Sequence, residues 1–254
     1  MTAFTLPRRR AFLGAAGLLG GSALLPTVSA AKSAALDGPW AVELFTSQGC
    51  SSCPPADKML GRLAERADIV ALSFHVNYWD YIGWKDPFAS ADATERQRAY
   101  ARVLKQRYVY TPEMVFDGLT HEPGTRPGEV DEMIERMRSR PGPRATPQLK
   151  RTADGGLSIR LDALAIGRPA EITLAVYDRR HSTKVPRGEN TGSTLDNFNV
   201  VRRLEKVAPW DGQEATFAVA ADRFGPQQSI AVLVQGADLG PILGCNKLEA
   251  GAAG

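Results

Sequence analysis

The chain has 254 residues, of which 43% are hydrophobic and 23% are charged, a composition typical of a globular protein with one large domain or two modest ones. Its net charge of +3 comes from the first 30 residues, which hold three of the 31 basic residues and leave 28 to balance 28 acidic ones. Because residues 31–254 are formally neutral, their charge gives no reason to expect a nucleic-acid or anionic-membrane partner.

Residues 1–30 are typical of an export signal peptide. Arg8, Arg9 and Arg10 precede an apolar run, and Val28-Ser29-Ala30 fits a cleavage site, which predicts a cut after Ala30. Arg9-Arg10 followed by apolar residues favours the twin-arginine pathway over the Sec pathway. We therefore expect a periplasmic or secreted protein, in a compartment where disulfides persist. Beyond this leader, no run reaches the roughly 18 apolar residues that a membrane span needs.

After a lead-in at residues 31–39, short apolar strands alternate with amphipathic helices. The pattern predicts a β-hairpin turn at Asp117-Gly118 and a helix that begins at Pro127. An aromatic loop over 77–88 holds Tyr78, Trp79, Tyr81, Trp84 and Phe88. The predicted strands cover 41–45, 69–76, 114–116 and 119–121. Three helices are predicted: one after residue 54, one over 89–106 and one after residue 127.

A proline-rich break over 139–147 separates this half from one without a convincing helix. Four segments there alternate apolar and polar residues with period two, and turn residues separate them. The pattern predicts an α/β domain over 40–143, an all-β sandwich-like domain over 144–248, and a frayed tail over 249–254.

Cys50 and Cys53 form a C-x-x-C pair that directly precedes Pro54-Pro55 and a predicted helix. A cysteine at a helix N-terminus faces unpaired N–H groups and the positive end of the helix dipole, which stabilise a thiolate. The thiolate is the attacking species in disulfide exchange. We therefore predict that Cys50 is the nucleophile and Cys53 the resolving thiol.

Two further features complete a thioredoxin arrangement of elements. Thr111-Pro112 directly precedes the predicted hairpin, where that fold carries a cis-proline that presents its backbone to a substrate chain; an ordinary strand-entry proline is the alternative. Glu43 lies in an apolar strand seven residues before Cys50. If buried, this carboxylate would have a raised pKa and serve as a base; if the strand lies at an edge, it would reach solvent.

Longer stretches resemble one particular family. Residues 42–60, 71–90, 96–101, 109–118 and 187–204, which include VELFTSQGCSSCPPADKML and RGENTGSTLDNFNVVRRL, look like the bacterial DUF1223 family. The resemblance implies exported proteins with a thioredoxin-like domain and names no substrate. The fold class we expect is therefore an α/β thioredoxin-like N-terminal domain followed by an all-β domain.

Several other residues allow two interpretations. The aromatic loop either caps the active-site face and binds an apolar peptide or forms a small structural core. His75 tunes the thiolate, ligates a metal or is structural. Arg187, Glu189 and Asn190 lie in a loop at the domain interface, on a partner-binding surface, or in a turn that merely joins two strands. Cys245 is best explained as a buried free thiol.

The leading functional hypothesis is a thiol–disulfide oxidoreductase that acts on periplasmic protein thiols or disulfides, with Cys50–Cys53 as its only redox group. The alternative is a Cu(I) chaperone that binds metal through the same two thiolates, because two soft ligands suit a soft cation. A third hypothesis is an adaptor with a static disulfide, although so small a loop gains little stability from its bond. The direction of electron flow and the oligomeric state do not follow from the sequence.

Overall fold

A computed structural model describes residues 38–142 and 144–250. The leader, most of the lead-in and the tail from residue 251 lie outside the described residues, so the prediction for the leader stays a prediction. The N-terminal half of the described chain runs in the order β1 (Trp40–Thr46), α1 (Pro54–Ala64), β2 (Ile69–His75), α2 (Ala91–Val103), β3 (Glu113–Phe116), β4 (Thr120–Glu122) and α3 (Pro127–Arg138).

The C-terminal half contains strands and a short 3-10 turn. Its strands are β5 (Gln148–Arg151), β6 (Leu157–Leu161), β7 (Ala170–Lys184), β8 (Thr194–Trp210), β9 (Ala215–Val219), β10 (Ser229–Gly236) and β11 (Ile242–Leu248). Within the part of the chain that the structure describes, no helix is long and apolar enough to cross a membrane.

Eight of the strands form one mixed sheet in the order β11-β10-β7-β8-β2-β1-β3-β4. Strands β1 and β2 are parallel, β3 is antiparallel to β1, and β8 runs parallel to β2 at the pair Ser73 and Val200. The other three strands form a small antiparallel sheet, β5-β6-β9. Strands from the two halves of the chain therefore meet in the middle of the large sheet.

The predicted fold class, an α/β thioredoxin-like domain followed by a separate all-β domain, is wrong. The described chain is mostly β, with eleven strands and three α-helices, and its large sheet crosses the expected domain boundary. All seven residues of β2 are buried. If β2 lay at the edge of the sheet, its backbone N–H and C=O groups on that side would be buried without partners. Strand β8 lies beside β2, so β2 is not an edge strand.

The two faces of the large sheet carry different cores. Helices α1 and α3 pack on the face to which Val42 and Leu44 of β1 point, and α2 packs on the opposite face with Phe45. This division follows from the alternation of side chains along a strand. The small sheet packs against β7 and β10 through a third core that includes Ile159 and Leu174.

The close packing of α1 on β8 gives a first testable prediction. A Cβ atom at Gly61 would lie 2.7 Å from ring carbons of Phe198, whereas a Cβ at Gly128 in α3 would meet no atom within 4 Å. Gly61→Ala is therefore expected to lower the free energy of unfolding by about 1–3 kcal/mol through overpacking. Gly128→Ala is the matched control and should raise it by roughly 0.5–1 kcal/mol, because alanine favours a helix. Urea unfolding measures both, and equal effects would contradict the packing explanation.

Candidate functional site

Cys50 and Cys53 form a disulfide at the start of α1, with their Cα atoms 5.5 Å apart. Cys53 is the residue before the helix, and Pro54 and Pro55 fill its first two positions. Proline has no N–H, so these two positions offer the sulfur atoms no hydrogen-bond donor, although the helix dipole still favours a thiolate there. Both cysteines are 0% exposed, while Ser51 and Ser52 between them are exposed.

Thr111 and Ser52 flank the sulfur of Cys50. The Cys50 Sγ lies 3.8 Å from the Thr111 carbonyl oxygen and 3.3 Å from Ser52 Oγ. A disulfide sulfur carries no hydrogen, so the Ser52 hydroxyl is the donor of that pair. The Thr111-Pro112 peptide bond is cis, and Pro112 directly precedes β3. The structure thus brings four of the five predicted site residues together: Cys50, Cys53, Thr111 and Pro112.

The loop between β7 and β8, residues 185–193, contacts the C-x-x-C segment, and we call it the hairpin tip. Asn190 Nδ2 donates to the carbonyl oxygens of Gln48 and Cys50 at 2.9 and 3.0 Å. The Ser51 N–H donates to Glu189 Oε2 at 3.2 Å. Asn190 is itself buried. The hairpin tip therefore holds the C-x-x-C loop by its backbone.

Aromatic residues of the 77–88 loop close the other side of the site. Trp79 Nε1 donates to Thr111 Oγ1 at 2.7 Å, and Trp84 Nε1 donates to Gln48 Oε1 at 3.1 Å. In contrast, Tyr81 is 82% exposed. The two indoles hold the segments on either side of the disulfide in place, so this loop is built into the site.

Glu43, the predicted buried base, lies on the face of the sheet opposite α1. It is fully buried, but Arg96 Nε donates to its Oε1 at 2.8 Å, and the Tyr100 hydroxyl donates to its Oε2. These partners occupy the carboxylate. The structure therefore separates Glu43 from the disulfide, and its predicted role in deprotonation receives no geometric support.

Another buried acid, Asp57, lies on α1 one turn after Cys53. Burial raises the pKa of Asp57 to about 7, against the lowering effects of the charge on His75 and of the nearby Thr46 side chain. On β2, His75 Nδ1 lies 2.7 Å from Asp86 Oδ2. Burial alone would raise the pKa of Asp86, but His75 and the N–H groups of Gln48 and Phe88 lower it below its ordinary value.

Asp57 was missed because a carboxylate within a helix is usually a solvated residue. It has a signal in the sequence nonetheless: it occurs in the stripe Cys53, Asp57, Leu60 and Ala64, whose other members are apolar and buried. A charged residue in an apolar stripe is a candidate for a buried, functional group.

The remaining candidates have simpler environments. Cys245 is a free thiol buried in a hydrophobic core, where burial raises its pKa and its Sγ donates to the Pro39 carbonyl at 3.2 Å. Among residues 38–142 and 144–250, no group of three or more His, Cys, Asp or Glu side chains is arranged to hold a metal ion. The Cu(I) alternative stays a prediction, with Cys50 and Cys53 as its expected ligands once reduced.

Comparisons with known proteins place the chain in a family. A crystal structure of protein AGR_C_4864 from Agrobacterium tumefaciens is 32% identical in sequence, with a TM-score of 0.75 over 85% of this chain and 96% of that chain. No curated protein matches the chain. The family described as "Protein of unknown function (DUF1223)" matches residues 41–235. This match covers well over half of the chain, which therefore belongs to the DUF1223 family.

Proposed function

We propose that this protein catalyses thiol–disulfide exchange with protein substrates through Cys50 and Cys53. The observation that carries the proposal is the disulfide at the first turn of α1, bordered by the Thr111 carbonyl and the Ser52 hydroxyl. A bond between two residues so close in sequence closes a small loop and contributes little to stability. Its reversible cleavage therefore explains the pair better than a structural role does.

The reaction needs no group beyond the two cysteines and the substrate. A substrate thiolate attacks Cys50 Sγ, the Cys50–Cys53 bond breaks, and the electron pair remains on Cys53. The product is a mixed disulfide between Cys50 and the substrate. A second substrate thiol then resolves it, which leaves a reduced C-x-x-C pair and an oxidised substrate. The reverse sequence reduces a substrate disulfide, and the reduction potential decides the direction.

Burial of the disulfide places a condition on this chemistry. Because both cysteines are fully buried, and the hairpin tip is bonded to the Cys50 carbonyl, a substrate thiol reaches Cys50 only when part of the surrounding structure moves. The hairpin tip is the segment that we expect to move, and Glu189 and Asn190 hold it in place by three hydrogen bonds. We infer that an exported protein of this kind meets its partners in the periplasm, where disulfide exchange takes place.

Variants of the two cysteines test the proposal directly. Cys53→Ala should form a stable mixed disulfide at Cys50 with an oxidised, cysteine-containing model peptide, because the resolving thiol is missing. Cys50→Ala should form at least tenfold less. Mass spectrometry of alkylated protein after reaction measures both adducts. Cys245→Ser is the control that should behave as the unchanged protein, since that thiol is buried in a core.

A second measurement gives the reduction potential of the Cys50–Cys53 pair by equilibration with dithiothreitol or glutathione. A redox-active pair should equilibrate with one of these buffers, whereas a purely structural disulfide in a folded protein should not respond to either. Absence of a mixed disulfide in Cys53→Ala, together with an inert disulfide in the native protein, would refute the proposed function.

A further inference from the structure

A cluster of buried polar side chains lies beside the disulfide, on the face of the large sheet that α1 covers. Asp57 of α1 is 5% exposed, and Asn197 of β8 is 1% exposed. Thr46 at the end of β1 and Ser73 and His75 on β2 point to the same face as Leu44, because alternate residues of a strand share a face. Five polar groups from four elements thus meet between α1 and the sheet.

Four of these groups have a buried polar atom without a hydrogen-bond partner in the described part of the chain. These atoms are Thr46 Oγ1, Ser73 Oγ, His75 Nε2 and Asn197 Nδ2. Thr46 and Asn197 lie near enough to Asp57 to lower its pKa, although neither orphan atom completes a hydrogen bond to it. Buried polar atoms are almost always satisfied by protein or water, and one buried water binds two to four of them. The cluster therefore has the donors and acceptors of an internal water site.

The cluster reaches the resolving cysteine along one turn of α1. The Asp57 N–H donates to the Cys53 carbonyl at 3.1 Å, as in the first turn of a helix. Side chains four residues apart share a helix face, with Cβ atoms roughly 5–6 Å apart. The Asp57 carboxyl is thus the acid next to Cys53 on the buried side of the helix, within reach of its sulfur through one water molecule.

His75 extends the cluster away from the cysteine. The Asp86 carboxylate accepts hydrogen bonds from the Gln48 N–H at 2.8 Å and from His75 Nδ1 at 2.7 Å. A carboxylate only accepts, so Nδ1 carries the proton of that bond. The other ring nitrogen, Nε2, is the one that remains to exchange a proton with a neighbour.

We propose that Asp57 and His75, linked by bound water, form an internal proton-transfer site for Cys53, an inference that rests on the disulfide exchange proposed above. When a substrate thiolate attacks Cys50, the bond to Cys53 breaks and the Cys53 thiolate takes the proton of the Asp57 carboxyl. In the reverse step, the Cys53 thiol returns that proton to Asp57 as its sulfur attacks Cys50 and releases the substrate thiolate. His75 then replaces or removes the proton held by Asp57.

The charge environment suits this role near neutral pH. A proton-transfer group works best when its pKa lies close to the working pH, and burial brings the pKa of Asp57 to about 7. The charged groups that face it are His75 from β2, which lowers that pKa, and Asp86 from the loop after β2, which raises it. Thr46 and Asn197, the facing groups from β1 and β8, are uncharged.

Asp57→Asn tests the site. The rate at which the reduced protein reduces a disulfide peptide at pH 7 should fall by about 100-fold, and the change in rate with pH centred near 7 should disappear. Asp57→Glu should restore part of the rate and the pH dependence. The exposed Asp131→Asn on α3 is the matched control and should change neither. A merely structural role for Asp57 would lower stability and leave the shape of the pH profile intact.

The sign of the pKa shift predicts that Asp57→Asn is at least as stable as the native protein above neutral pH. A carboxyl with a raised pKa in the folded state destabilises that state once it ionises, so the native protein loses stability as pH rises from about 4 to above 7. Asp57→Asn cannot ionise and should melt at a higher temperature than the native protein at pH 8. In the native protein, NMR titration of the Asp57 carboxyl provides a readout without activity and should show a midpoint near 7.

The outcomes separate this inference from the proposed function. Exchange by Asp57→Asn within twofold of the native rate, with an unchanged pH profile, would overturn the proton-transfer site and leave the cysteine chemistry standing. A native protein that exchanges with no dithiol or disulfide peptide would overturn both. An Asp57 carboxyl that titrates below pH 5 would also exclude the site, whatever the rates.

Discussion

Arg96→Met is expected to lower the free energy of unfolding by about 3–5 kcal/mol, because it leaves a buried carboxylate without its counter-charge. Arg96 is almost fully buried, and its guanidinium pairs with Glu43 at 2.7 Å. It also donates to Tyr100 and Gln235 at 3.1 Å, so it joins β1, α2 and β10. Burial alone would lower the pKa of Arg96, but the charge of Glu43 outweighs it and keeps the guanidinium ionised. Denaturation by guanidinium chloride measures the loss.

Two controls distinguish a buried charge from lost packing. The double variant Arg96→Met with Glu43→Gln should recover at least half of the loss, because no unpaired charge remains. The exposed pair Arg98 and Glu95, 2.7 Å apart on α2, is the matched comparison, and Arg98→Met should cost less than about 0.5 kcal/mol. A loss below about 1 kcal/mol in Arg96→Met would mean that Glu43 is protonated or solvated, and it would reopen the case for Glu43 as a base.

Local patterns anticipated most elements but not how they assemble. The predicted strand over 41–45 is observed as Trp40–Thr46, and the helix expected after Pro127 ends at Arg138. Periodicity reports which face of an element is apolar, and that information is local. Periodicity does not indicate which strand lies beside β2. The neighbour is β8, which begins about 120 residues later along the chain. The wrong prediction of the fold class follows from that gap.

Strand β8 shows why the central connection was missed. Its sequence, TLDNFNVVRRLEKVAPW, is rich in Asn, Asp, Arg and Lys, which are more common in loops and on surfaces. The polar residues have partners that only the tertiary structure supplies: Asn197 accepts from Gln48, and Asn199 donates to the Ala71 carbonyl at 2.8 Å. In the sequence alone, polar strand residues whose hydrogen-bond partners lie in distant segments cannot be distinguished from loop residues.

The candidate site was predictable where its chemistry depends on neighbours in sequence. Cys50 and Cys53 follow from their spacing, and the Thr111 carbonyl, expected to face a substrate chain, lies 3.8 Å from the Cys50 sulfur. The surroundings of Glu43 could not be predicted, because alternation along β1 places it on the far face of the sheet, where α2 supplies Arg96. A sequence shows that a carboxylate is in an apolar strand, but the partner that neutralises it comes from tertiary packing.

The hairpin tip gives the second large effect that we expect. Asn190→Ala combined with Glu189→Gln should speed the reduction of the Cys50–Cys53 disulfide by dithiothreitol about 10- to 100-fold. Asn190 contributes two hydrogen bonds and Glu189 a charge-assisted one, and each is worth about 0.5–1.5 kcal/mol net. Their loss raises the population of the open state, and a reaction that requires opening accelerates by the same factor. Quenching with an alkylating agent, followed by mass spectrometry, gives the rate.

The comparison that decides the role of the tip uses a residue of the same loop. Arg187 is exposed in the tip, so Arg187→Ala changes the loop without removing the bonds to the C-x-x-C segment and should leave the reduction rate within twofold. If the tip only protects the disulfide, weakening it should raise the reduction rate of Cys50–Cys53 with every reductant. If it also selects partners, the double variant should gain more with dithiothreitol than with a protein thiol, because a protein partner already displaces the tip in the native chain. Equal reduction rates for the native protein and the double variant would show that access to Cys50 opens elsewhere.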